Sequence, residues 1–241
     1  MPNQKTDINN NGGFSTDFIG ANYDYPEGDY ATRQRIRNEH EDYTRGFLVF
    51  MATSPRRSDL WPNMIMLFCL QSYYDQSGDA RVIDLMRKYF EYLRQVPEDK
   101  FLVGYWPKMR AGDLLYSVYW LYNRTGQPEL LELGHKTHRQ AARWDRDVIN
   151  WHNVNLAQGF REPATYFQQT KDPRHLQASE NDWTKLRDLY GQVPGGMYGS
   201  DENCRPGYTG PRQAVEACGM AEEMLSDEIM LTINGDLVWA D

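Results

Sequence analysis

The 241-residue sequence predicts an all-α protein: an α/α toroid of the six-hairpin type, incomplete, with about four helical hairpins present. Two observations carry that prediction, a turn that recurs along the chain and a contrast in polarity between the helices on either side of it. The turn stands in SYYDQSGDARVIDLM, WLYNRTGQPELLELG, TYFQQTKDPRHLQAS and MLTINGDLVWAD, where an apolar run closes at a Gly or polar pair and another helix opens. Gly78, Gly126 and Gly235 can take the left-handed conformation that ends a helix, and Lys171 fills the same slot without glycine's freedom. Asp79, Asp172 and Asp236 can cap the helix that follows, and Pro128 and Pro173 stand where a missing N–H costs nothing. Before the turns, residues 63–77, 113–125 and 154–170 are apolar or aromatic nearly all round. After them the pattern is amphipathic: Val82, Ile83, Leu85, Met86, Phe90 and Leu93 leave Asp84, Arg87, Lys88 and Glu91 on the other face. Buried inner helices and half-wet outer ones fit a toroid better than an open solenoid.

In chain order, residues 1–58 form a separate N-terminal segment, rich early in Gly, Asn, Asp and Tyr, whose charged stretch RQRIRNEHEDYTR reads as one polar helix. Residues 59–241 form the partial toroid. Pro163 should kink or shorten the third inner helix. From Tyr190 to Arg212 glycines and prolines break any helix, and a loop of that length in a compact domain tends to be functional. The last turn, Asn234-Gly235-Asp236, opens a helix that receives only residues 237–241, so a truncated toroid is expected.

Composition narrows the function. A net charge of −8 repels phosphate backbones and anionic lipid, which argues against nucleic acid and membrane partners. The longest apolar run, residues 64–70, is too short to span a bilayer, and the polar, Asn-rich start shows no secretory signal. Three scattered cysteines, Cys69, Cys204 and Cys218, make no disulfide framework. Seven Trp, 16 Tyr and nine Phe suit a carbohydrate cleft, although most aromatics in any fold are core.

Several residues could carry chemistry. Asp201 and Glu202 stand in the Gly-rich loop beside Cys204, Arg205 and Tyr208, where they read either as solvated charges or as acids held near a substrate for proton donation. Glu216 and Cys218, at a helix entry, are legitimate zinc ligands but supply two of about four, with Cys204 a conceivable third. Read as packing, Cys218 is a buried inert thiol. His152 and Asn155 share one helical face at the start of an inner helix, either as structural groups or as contacts for a sugar. Trp106, Arg110 and Asp113 hold the matching place before the previous inner helix, where they read as mouth residues or as a cap and an exposed ion pair.

Taken together, WPNMIMLFCLQSYYDQSGD, SVYWLYNRTG, WHNVNLAQG and above all GGMYGSDENCRPGYTGPRQAVEACGMAEEML resemble glycoside hydrolase family 127 from about Asp59 onward. The resemblance implies a toroid catalytic domain followed by β-sandwich domains. It implies removal of β-L-arabinofuranose with retention, by a zinc-bound cysteine thiolate. Glu202 matches the family's general acid/base, Glu216 and Cys218 its Glu-x-Cys zinc pair with Ala217 where Thr is usual, and His152 a substrate-contacting histidine. The nucleophile and remaining zinc ligand come from adjacent cysteines further along, and no such pair occurs in these residues. The expectation is a zinc-dependent arabinofuranosidase acting on plant-derived arabinose-containing glycans, inactive as this piece alone. Alternatives are another toroid glycan enzyme, an inverting hydrolase or sugar epimerase, or a helical-repeat scaffold that binds protein partners.

Overall fold

The computed structural model describes residues 18, 20–53, 60–191, 199, 201–204, 207 and 215–240. Among them every regular element is helical, and the chain divides into two compact units, 1–58 and 59–241. In the first unit one helix, α1 (Tyr30–Thr53), contains the charged stretch. Its N-terminus is capped by Asp29, which accepts the Thr32 N–H at 2.8 Å, and Arg37 donates to the Tyr25 hydroxyl.

The second unit runs through α2 (Trp61–Ser77), α3 (Ala80–Gln95), α4 (Tyr105–Met109), α5 (Ala111–Thr125) and α6 (Glu129–Gln140). It continues with α7 (Asn153–Gly159), α8 (Arg161–Thr170), α9 (Pro173–Tyr190), α10 (Ala217–Asn234) and a final 3-10 turn, Leu237–Ala240. The recurring turn works as its residues require. Gly78, Gly126 and Gly235 close their helices at φ 65°, 66° and 71°, and Lys171 adopts the same left-handed geometry at φ 56°. Asp79 and Asp172 then accept the N–H of Arg81 and Arg174, each at 3.0 Å, to start α3 and α9.

Inner helices pack in chain order, α2 on α5, α5 on α8 and α10 on α7 and α8, while α3 lies against α6 outside them. The outer helices bury one stripe each, Val82, Met86, Phe90 and Leu93 on α3 and Leu130 and Leu133 on α6. Lys136 is buried too, and its ammonium donates to the carbonyls of Leu93, Arg94 and Val96, closing the C-terminus of α3. Burial all round holds for α5 and α7 but not for the whole inner set: Ile65 of α2 is 42% exposed and Met224 of α10 is 73% exposed. The third inner helix breaks at Phe160 into α7 and α8. Pro163 is the cause, because it has no N–H for the Gly159 carbonyl four residues back.

Two cores result. One joins α2, α3, α5 and α6 around Met64, Met86, Phe90 and Leu115, and the other gathers Trp144, Leu156, Phe160, Leu186 and Met230 from the later elements. Between them lies a buried ion pair, Arg161 of α8 with Asp113 of α5, and the same guanidinium donates to Ser226 of α10 at 2.7 Å. Three inner helices are thereby tied at one point. Glycine lets two more contacts close: a Cβ at Gly159 would overlap the Trp144 indole, and one at Gly219 would overlap the Asn153 side chain.

Candidate active site

The N-terminal ends of the inner helices gather most of the residues that the sequence singles out. His152 is the N-cap of α7, and its Nδ1 accepts the Asn155 N–H at 3.4 Å. In a neutral imidazole that bond places the proton on Nε2, which makes that nitrogen a donor. Asn155 is wholly buried; its Oδ1 accepts from Arg110 Nε at 3.0 Å, and its Nδ2 donates to Asn150 at 3.2 Å and to the Tyr105 hydroxyl at 3.3 Å. Trp106 meets the His152 ring edge-on, with centroids 5.2 Å apart. The Arg110 guanidinium lies over Trp61 and Trp106, 4.2 and 4.8 Å from their centroids. Four of the expected residues, Trp106, Arg110, His152 and Asn155, thus form one hydrogen-bonded and stacked cluster.

The acidic loop is sewn to the same place by its backbone. Asn153 N–H donates to the Glu202 carbonyl at 3.0 Å, Cys204 N–H to the Trp151 carbonyl at 2.7 Å, and His152 pairs with Asn203 in an isolated antiparallel bridge. Asp201 accepts the Glu202 N–H at 2.8 Å, which shapes the turn and leaves the Glu202 side chain exposed. Arg205 and Tyr208, with half of the loop's glycines, lie outside the described residues.

Glu216 caps the start of α10 with extended backbone (φ −81°, ψ 117°), and Cys218 is exposed on the first turn. Gly219 brings that turn against Asn153, the neighbour of His152. A carboxylate and a thiol are fitting donors for zinc, yet among the described residues no three His, Cys, Asp or Glu side chains converge as a metal site requires. The pair supplies in number two of the about four ligands that zinc takes. Cys204 does not join it, being packed in the second core.

Asp113 does not reach the mouth. It is 1% exposed, in the first turn of α5, and is held by Arg161 with Gln158 at 3.4 Å. Trp61, Tyr105 and Asn150 complete the cluster although spacing alone does not pick them out. For Trp61 the signal is a short repeat, Trp-Pro-x-Met at 61–64 and again at 106–109, which marks equivalent entries to two inner helices.

Residues 29–241 match the family described as beta-L-arabinofuranosidase, GH127 catalytic domain, a match that begins thirty residues before the resemblance seen in the sequence motifs. No curated protein and no solved structure was found to match the chain. With a family match spanning most of its length and an all-helical fold, the chain belongs to the GH127 glycoside hydrolase catalytic-domain family.

Proposed function

We propose that the site at the inner-helix N-termini binds a β-L-arabinofuranosyl unit and belongs to a retaining β-L-arabinofuranosidase acting on plant-derived arabinose-containing glycans. The observation that carries this reading is the convergence of three segments, the start of α7, the loop at 201–204 and the first turn of α10, through the Asn153–Glu202 and Trp151–Cys204 backbone bonds and the Gly219 contact. His152, its Nε2 a donor, orients the sugar through a hydroxyl or ring oxygen, and Asn155 and Arg110 keep that imidazole in place. Glu202, exposed on its loop, protonates the leaving glycosidic oxygen and then takes a proton from the water that frees the sugar. Glu216 and Cys218 would hold zinc, which when bound supplies the positive charge that keeps a neighbouring thiol ionised at neutral pH.

The three cysteines of these 241 residues include no adjacent pair, so the attacking thiolate of such a mechanism is not among them. These residues alone should bind the glycoside without cleaving it. Calorimetric titration with methyl β-L-arabinofuranoside tests the reading: binding should be measurable and should weaken about tenfold or more in His152→Ala, the loss of one hydrogen-bonded contact. Equal affinity for methyl β-D-xylopyranoside, or measurable hydrolysis by these residues alone, would contradict it.

A further inference from the structure

Tyr105 is 45% exposed, yet its position is determined at both ends. Its ring meets Trp106 edge-on, with centroids 4.9 Å apart and planes 80° apart. Its hydroxyl accepts from Asn155 Nδ2 at 3.3 Å. Asn155 is the fully buried amide that also gives its backbone N–H to His152 Nδ1, so one residue orients both the histidine and the exposed ring. Trp106 is itself backed by the Arg110 guanidinium at 4.8 Å, a second contact under the ring that supports Tyr105. A buried polar group that fixes an exposed aromatic ring pre-organises a surface, and pre-organised aromatic surfaces gain binding because little rotamer freedom is lost when they are covered.

From this geometry we propose that Tyr105 is a stacking platform for a second sugar ring, the glycan residue linked to the arabinofuranosyl unit at His152. The ring face receives the C–H face of a neutral sugar, as flat amphipathic side chains do. The site then selects oligosaccharides over monosaccharides, and Tyr105 is a specificity-determining residue without a part in bond cleavage. This rests on the arabinofuranoside reading of the same site.

The test is calorimetric titration of the 241-residue chain with methyl β-L-arabinofuranoside and with a β-L-arabinofuranosyl disaccharide. The disaccharide should bind about tenfold more tightly or better. Tyr105→Ala should collapse that ratio to about one, whereas Tyr105→Phe, which keeps the ring, should retain most of it. A ratio near one in the unaltered chain, or a ratio that survives Tyr105→Ala, overturns the platform while leaving the arabinofuranoside reading intact. Binding of neither ligand overturns that reading and the platform with it.

Discussion

Asp113 shows what separates a site residue from a structural one. By spacing it belongs with Trp106 and Arg110 before an inner helix, but Arg110 has non-helical backbone (φ −107°, ψ 18°), so the helical phase between it and Asp113 is broken. Arg110 turns to Asn155 and the two tryptophan rings, and Asp113 faces Arg161. Removing one partner of a buried ion pair leaves the other charge uncompensated, so Asp113→Ala should cost about 3–5 kcal/mol of stability. Chemical denaturation checks this, and a loss below about 1 kcal/mol, the size of an exposed pair, would contradict the assignment. His152 and Asn155 were legible as a pair by their spacing of three at a helix start, which in the fold is the spacing of an N-cap and the N–H it accepts rather than a shared helical face. Tyr105 and Asn150 were not, because only folding brings residues fifty and five positions away to the same amide.

At the scale of elements the turns were the most legible feature, since left-handed closure by Gly and capping by Asp are properties of the residues themselves. Lys171 is the exception that can be measured. It holds φ 56° where Gly78, Gly126 and Gly235 hold the same geometry without strain. Lys171→Gly should therefore raise stability by about 0.5–1 kcal/mol, or about 1–4 °C in Tm. A lowered Tm would show that the side chain contributes more than the strain costs.

The packing of α9 and α10 was not legible, because hydropathy alone cannot place acids inside. Burial, with the Asp227 charge adding, pushes Glu223 up to about 8 against the pull of Arg187. Burial raises Asp227 to about 7, and burial with the Asp147 charge raises Asp182 to about 7. Each holds a proton in the fold that the unfolded chain releases near pH 4, so unfolding releases protons and rising pH favours it. Their stabilisation is full below about pH 4 and is lost as pH climbs through about 7 to 8, so Tm should fall between about pH 4 and about pH 8. Glu223→Gln should flatten that fall, and a Tm that rises with pH across the window would contradict the buried protonated acids.

For the whole molecule, alternating all-apolar and amphipathic helices were enough to indicate layered hairpins, and the family match confirms the class. The expectation of inner helices buried on every side fails for α2, since periodicity reports which residues are apolar and not how many neighbours surround them. The proposed site lies at the helix N-termini, away from the cavity of about 280 Å³ that α2, α5 and α10 line toward their C-terminal ends. Hydrogen–deuterium exchange with and without a β-L-arabinofuranosyl disaccharide tests it most directly. Protection should appear at residues 105–110, 150–156, 201–204 and 216–219. Protection confined to the α2/α5/α10 cavity, or to the groove between α3 and α6, would contradict the account.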